Sequence, residues 1–358
     1  MKALTGIGIR PDIIRLSEVI REFDKWFEHV VVDTGQHWDE NLNATHYKQL
    51  DLREPDYRLD GKADTQIQQV GKIAAGFEEV LLKEVPDVVV ILGDNNSSMA
   101  MAITAANLNI PIAHIESGGR SYNWKMPEEK NRSVVDHLSD ILFCYTDEHK
   151  ANLVREGINP RRAWVVGNPI VDVLNANINK ASTLNVFNLP YEYVLVTCHR
   201  NENVTDKSTL DRILKQLSEV GVFYDLPVLL IEMPKLAECI DKYDLHYPHN
   251  VYPISPLGYL DFLELQKYAR MIITDSGTIP EDSYAMGLPT IQIREKTERV
   301  ELIETGHTML VSSNGDIVTA AKMLADKTSL PREFNYKTGV AQKIARILVG
   351  NAMGAWCK

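Results

Sequence analysis

The feature that most constrains this chain is a rhythm. Short apolar runs alternate with helix-period segments along its whole length, and the pattern restarts once. The clearest runs in the first half are residues 30–32, 88–92 and 110–115. Each ends in polar or glycine residues, as buried strands do where they open into a loop. Pro111 suits the first position of its strand, where a missing N–H costs least. The chain begins with a strand followed by a helix, and residues 11–23 place Ile13, Ile14, Leu16, Val19 and Ile20 at helical spacing. After Asn168-Pro169 the runs recur at residues 193–197, 228–231, 271–274 and 290–293. Such alternation predicts parallel sheets covered on both faces. The expected fold is therefore α/β, with two tandem units joined near residues 170–190. Facing each other, they would form a cleft lined by residues that follow strands in both halves.

Polar residues collect at these strand ends. Gly93-Asp94 follows one apolar run, Glu116 another, and Glu128-Glu129 follows Pro127 at a helix start. In the second half, His199-Arg200 and Asp275-Ser276-Gly277 hold the corresponding places. Taken singly, each has an ordinary explanation. Carboxylates after strands cap helices, first-turn glutamates answer the helix dipole, and a lone histidine is more often structural. Taken together, they occupy the surface where this fold class binds ligands. Ser276-Gly277-Thr278, ahead of a helical stretch, offers backbone amides to a phosphate. Gly8-Ile9-Arg10-Pro11 is a second such turn. Arg10 and Arg15 either contact a diphosphate or are solvated helix-face charges. Neither a P-loop nor a dinucleotide-binding glycine fingerprint occurs.

Composition narrows the function. The 358 residues are 44% hydrophobic and 24% charged, enough for two cores. No apolar run approaches the roughly 20 residues of a membrane span, and the start lacks a signal-peptide pattern, so a cytoplasmic protein without membrane partners is expected. A net charge of −11 argues against nucleic acid as a partner. The four cysteines, Cys144, Cys198, Cys239 and Cys357, are scattered without metal-type pairing, so buried thiols and no metal site are expected.

These segments resemble the non-hydrolysing UDP-N-acetylglucosamine 2-epimerase family over nearly the whole chain. The likeness rests on GIRPDIIRL, DTGQH, ILGDNNS, HIESGGRS, MPEEKNR, DHLSDILF, VVGNPIVD, VTCHRNEN, PLGYLDF, TDSGTIPED and REKTERVEL in that order. It implies two Rossmann-like domains in a glycosyltransferase-B-like arrangement, with the active site in the interdomain cleft. Residues 1–172 would form the first domain, with a final helix in 340–358 crossing back to it, and 173–339 a UDP-binding second domain. It also implies a homodimer, a UDP-sugar substrate, and anti elimination of UDP followed by re-addition on the other face, with no redox cofactor. By motif position, Asp94, Glu116, Glu128 and His199 are the implied catalytic group. Carboxylates would move the protons and His199 would assist near the diphosphate. Arg10, Arg15, Ser276, Gly277, Thr278 and Arg299 fall at diphosphate- and nucleotide-binding positions, Phe262 where uracil stacks, and Asp282 at the ribose.

Several positions depart from the family pattern. Arg15 stands for a lysine, Thr278 for a glycine and Asp282 for a glutamate. Asn95 and Asn96 stand for threonines, Ser117 and Gly119 alter the segment after Glu116, Asn201 stands for an arginine, and Glu232-Met233-Pro234 for a histidine-proline segment. These bear on the substrate before the fold. Gln36 and His37 match part of a region where a second UDP-sugar activates some members. Trp38-Asp39-Glu40 and Asn201 do not, so no such activation is expected. The alternatives are an epimerase of a UDP-2-acetamido-2,6-dideoxy sugar or a UDP-2,3-diacetamido uronic acid, a hydrolysing relative, a glycosyltransferase on the same fold, and a non-catalytic UDP-sugar binding protein.

Overall fold

The structure, a computed structural model, describes residues 1–36, 40–180, 192–325 and 337–350. The chain divides into two compact units, Met1–Asn175 with Lys337–Lys358, and Ala176–Tyr336.

The first unit holds a seven-stranded sheet. Its strands are β1 (Lys2–Ile7), β2 (Glu28–Asp33), β3 (Tyr57–Arg58), β4 (Val88–Leu92), β5 (Ile112–Ile115), β6 (Ile141–Cys144) and β7 (Ala163–Val165). They run in the order β3-β2-β1-β4-β5-β6-β7, with every pairing parallel. All residues of β4, β5 and β6 are buried, which is why they read as unbroken apolar runs. The helix Arg10–Trp26 turns Ile13, Leu16, Val19, Ile20 and Phe23 inward. Arg10 is its first residue and Pro11 its second, one place later than proline's favoured first position. Pro111 sits just ahead of β5 and gives its carbonyl to the Val89 N–H at 2.8 Å. The helix Val340–Gly350 packs on Arg10–Trp26, and its entry is fixed by Asp172, which accepts the Gly339 and Ala341 N–H groups at 2.6 and 2.8 Å.

The second unit repeats the plan with β8 (Tyr193–Thr197), β9 (Val228–Ile231), β10 (Val251–Ile254), β11 (Ala269–Thr274), β12 (Thr290–Ile293) and β13 (Thr308–Val311). All pairs are parallel, in the order β10-β9-β8-β11-β12-β13. Alternate residues of β8 enter opposite cores. Val194 and Val196 join one cluster, and Tyr193 and Leu195 the other. Both units are thus Rossmann-like, each with its strand order reversing beside its own first strand. Strands β7 and β10 lie at sheet edges with Trp164 and Tyr252 exposed, and Pro253 is tolerated in β10 because an edge needs fewer donors. Cys144, Cys198 and Cys239 are buried and free, whereas Cys357 lies outside the described residues. Among the described residues no helix is long and apolar enough to cross a membrane.

Candidate active site

In the first unit the strand order reverses between β1 and β4, so ligands are expected at the carboxyl ends of those strands. The loop after β1 is held by Asp12. Its Oδ2 accepts the Gly8 and Ile9 N–H groups and Asn95 Nδ2, each at 3.0 Å. The last bond ties this loop to the one after β4. A Cβ on Gly8 would overlap the Asn95 amide, so the approach needs glycine. Burial pushes the Asp12 carboxyl up to about 7, against the pull of the Ile9 and Gly8 amides.

Glu116 follows β5 with φ at +75°, a left-handed conformation that costs a residue with a side chain. Two hydrogen bonds at 3.1 Å, from the Glu116 and Ser117 N–H groups to the Phe143 carbonyl, hold it there. Arg15 reaches its buried carboxylate from the helix Arg10–Trp26 as an ion pair, and also donates to the Tyr145 hydroxyl at 2.9 Å. A methyl group on Gly93 would sit 3.8 Å from Glu116 Oε2, so this carboxylate neighbours the turn that bears Asp94. Asp94 itself pairs with Arg132 of the helix Pro127–Leu138. Asp94 and Glu128 share the wall of one cavity of about 410 Å³, together with Gln36, Asn95, Asn96 and Asn131. Of the two adjacent glutamates, Glu129 is structural. It accepts from Ser121 N, Ser121 Oγ and Tyr122 N at 3.1, 2.8 and 2.9 Å, whereas Glu128 is exposed. Arg10, the first residue of its helix, is half-buried, and its charge is felt at His46.

In the second unit the reversal lies between β8 and β11. Asp275, fully buried at the end of β11, spans it. Its Oδ2 accepts the His199 and Arg200 N–H groups at 2.8 Å each and Asn203 Nδ2 at 3.0 Å. Its Oδ1 lies 3.1 Å from His199 Nδ1. The carboxylate beside it raises His199 above the ordinary histidine value. Burial pushes Asp275 up, but His199, the Arg200 amide and Asn203 together bring it below the carboxylate range.

The turn after Asp275 differs from its sequence-based expectation. Ser276 Oγ accepts the Thr278 and Ile279 N–H groups at 3.2 and 3.4 Å, so these amides already have an acceptor. Cationic side chains stand close by instead. A methyl group on Gly277 would lie 3.3 Å from Arg294 Nη1. Arg299 pairs with Glu281 at 2.7 Å and lies 3.7 Å from Glu298. Arg294 is almost fully buried, and burial, with Arg200 and Arg299 nearby, lowers its pKa despite Glu298. Asp282 is buried, and its charge is felt at Tyr259, one helical turn from Phe262. Phe262 is half-buried against the core cluster that also gathers Leu257, Ile279 and Met286.

Sequence reasoning did not single out Asp12, Arg132 or Arg294 as site residues. Arg132 had a signal: it lies four residues after Glu128, on the same helical face. Arg294 had none beyond its place after an apolar run. His37, Trp38 and Asp39, on which the second-site expectation bears, lie outside the described residues.

Two Rossmann-like units, one presenting carboxylates at its strand ends and the other a histidine and arginines, define a two-domain α/β protein with the polar equipment of a nucleotide-sugar enzyme. The family model described as UDP-N-acetylglucosamine 2-epimerase matches residues 21–349, and the chain belongs to that family. It is 38% identical to the UDP-N-acetylglucosamine 2-epimerase of Methanocaldococcus jannaschii, over 97% of this chain and 99% of that one. It is 36% identical to the UDP-2,3-diacetamido-2,3-dideoxy-D-glucuronate 2-epimerase of Pseudomonas aeruginosa, over 92% and 93% of the two chains. The crystal structure of the M. jannaschii enzyme in complex with UDP-GlcNAc and UDP superposes with a TM-score of 0.89 at 36% identity, covering 98% of this chain and all (100%) of that one.

Proposed function

We propose that this protein is a non-hydrolysing 2-epimerase that interconverts UDP-N-acetylglucosamine and UDP-N-acetylmannosamine. The observation that carries the proposal is the grouping of Asp94, Glu116 and Glu128 on the strand-end elements of the first unit, in a chain of this family. In the reaction, a carboxylate removes the proton from carbon 2 while the bond from carbon 1 to the UDP oxygen breaks. The electron pair forms a carbon 1–carbon 2 double bond. Re-addition returns UDP to carbon 1 and a proton to the opposite face of carbon 2. Substrate and product have the same oxidation state, so the sequence needs no oxidant. The carbon 2 proton is weakly acidic, so the reaction calls for a positioned base and for stabilisation of the departing diphosphate.

The reading gives the proton chemistry to the first unit, where Glu128 faces the cavity, Arg15 pairs with Glu116 and Arg132 pairs with Asp94. It gives UDP to the second unit. His199, drawn toward its cationic form by Asp275, balances the charge on departing UDP, and the Ser276 and Thr278 hydroxyls, the Gly277 backbone and Arg299 hold the diphosphate, joined by Arg294. Phe262 stacks on uracil and Asp282 holds the ribose. The proposal extends to a cytoplasmic homodimer serving polysaccharide synthesis, supported by the family resemblance.

A second substrate, a UDP-2,3-diacetamido uronic acid, is favoured by the Pseudomonas relative and by Asn95 and Asn96 on the cavity wall. Proton NMR in deuterium oxide separates the readings. With UDP-N-acetylglucosamine, the manno-configured product should carry deuterium at carbon 2, and Glu116→Gln should abolish its appearance. Turnover of the diacetamido uronate alone would move the assignment to that sugar. Free N-acetylmannosamine would make the enzyme hydrolysing, and UDP binding without turnover of either sugar would leave a binding protein.

A further inference from the structure

A buried ion cluster in the first unit connects the three segments that carry Asp94, Glu116 and Glu128. At its centre is Asp136, fully buried on the helix Pro127–Leu138. Its Oδ1 lies 2.8 Å from His114 Nδ1. Its Oδ2 accepts the Gly118 N–H at 3.2 Å and lies 2.8 Å from Arg120 Nη1. Arg120 is braced in turn by both Glu156 oxygens at 2.7 and 2.6 Å, and it donates to the Gly119 carbonyl at 2.7 Å. The second ring nitrogen of His114, Nε2, lies 2.9 Å from the Gly93 carbonyl oxygen. A carbonyl oxygen can only accept, so Nε2 is the donor. Burial pushes Asp136 up, but His114 and Arg120 outweigh it and hold the carboxyl below its ordinary range.

Each connection ends on a segment that bears one of the three carboxylates. Gly93 directly precedes Asp94, Gly118 follows Glu116 by two residues, and Asp136 shares a helix with Glu128. Gly93, Glu116 and Gly118 all have left-handed backbones, with φ of +71°, +75° and +81°. Such a series of turns must be held from outside the loops, and for Glu116 the conformation is unfavourable without support. None of His114, Arg120 and Asp136 lies on the cavity wall, so their influence on the reaction passes through the backbone.

We propose that the His114–Asp136 pair, buttressed by Arg120 and Glu156, is a positioning device that sets Asp94, Glu116 and Glu128 in one register. The proposal rests on the epimerase reading above. Two variants of the full-length protein each keep a different half of the connection. In His114→Asn the shorter amide still reaches Asp136 but not the Gly93 carbonyl; in His114→Gln the amide nitrogen takes the place of Nε2 and keeps that bond. His114→Asn should lower kcat about 100-fold, since a small misplacement of reacting groups costs that much, with KM within about threefold. His114→Gln should lose less, about tenfold, as expected for an outer partner partly replaced. Amide hydrogen exchange at residues 93–96 and 116–120 should quicken in His114→Asn and change less in His114→Gln.

Parental kcat in both folded variants would overturn the proposal, as would equal losses that follow only the folded fraction. If neither histidine variant folds, Glu156→Gln at the partly exposed end of the cluster is decisive. It should lower kcat at least about threefold without changing KM, and an unchanged kcat would reject the device. If the parent protein turns over neither UDP-sugar, the function reading falls, while the exchange comparison still decides the positioning role.

Discussion

The two units share a strand order and a device, yet use the device differently. In each, a buried aspartate takes two successive backbone amides after the unit's first strand. In the first unit that residue is Asp12, four positions along the chain from Gly8, so the loop is closed by its own helix. In the second it is Asp275, which arrives from β11 and closes the loop after β8 across the switch point. Asp12 is raised to about 7 by burial, whereas Asp275 is lowered by His199, the Arg200 amide and Asn203 despite its burial. A capping carboxylate therefore does not have one electrostatic outcome. The groups around it decide whether it holds a proton or a neighbouring cation. Near Asp12 stands the Glu116 carboxylate, paired with Arg15; around Asp275 stand His199 and Arg200, with buried Arg294 and Arg299 on the segments beyond. The contrast is what a reaction needs if one half moves protons and the other holds an anion.

The sharpest way to break that division is at Asp94. Replacing a group that moves or orients a proton costs about 100- to 10,000-fold in rate, so Asp94→Asn should lower kcat in that range while UDP affinity stays near parental. Calorimetric titration with UDP, beside the NMR assay, separates the two quantities. An equal fall in UDP affinity would show that the first unit holds the nucleotide as well.

Arg294→Met tests the other half and should have a smaller effect. Loss of one charge-assisted contact corresponds to about 1.5–3 kcal/mol, or roughly 10- to 100-fold in UDP affinity, with carbon 2 exchange at saturating substrate reduced less. Unchanged affinity would leave Arg294 as a core partner of Glu298 alone.

The smallest effect is in the pH dependence of stability, where the two aspartates oppose each other. The raised Asp12 contributes most below the unfolded carboxylate pKa, and its contribution is lost as pH rises through about 7. The lowered Asp275 contributes above the unfolded carboxylate pKa and loses that contribution as pH falls through its folded value. The raised His199 contributes fully below the unfolded histidine pKa and loses it as pH rises through its folded value. Thermal unfolding across the carboxylate and histidine ranges should therefore show the gap between parent and Asp12→Asn narrowing as pH rises. The gap between parent and Asp275→Asn should widen, then shrink once His199 deprotonates. Parallel curves would remove the electrostatic difference between the units.

Much of the fold was legible because buried parallel strands are apolar on both faces. β4, β5, β8 and β9 stand out as runs, and the helix Arg10–Trp26 has a clear inward stripe. β7, β10 and β13 did not stand out. β7 and β10 keep Trp164 and Tyr252 in solvent at sheet edges, and β13, also an edge strand, leaves Met309 and Leu310 only partly buried, so their patterns are diluted. The positions of Asp94, Glu116, Glu128 and His199 after strands or at a helix start could be read directly, because loop residues follow the runs that position them. Their partners could not. Arg132 meets Asp94 and His114 meets Asp136 only because β4, β5 and the helix Pro127–Leu138 lie side by side.

The sequence by itself determined the class of fold, the tandem plan and the inventory of polar side chains at strand ends, since these follow from local periodicity and from residues adjacent in the chain. Only the tertiary structure decided which carboxylates are paired, which glutamate of the Glu128-Glu129 pair is exposed, that Ser276 occupies the amides of its own turn, and that one buried cluster links three loops. Those outcomes depend on contacts between residues far apart in sequence and on how much water each group loses. Neither quantity exists until the sheet has assembled.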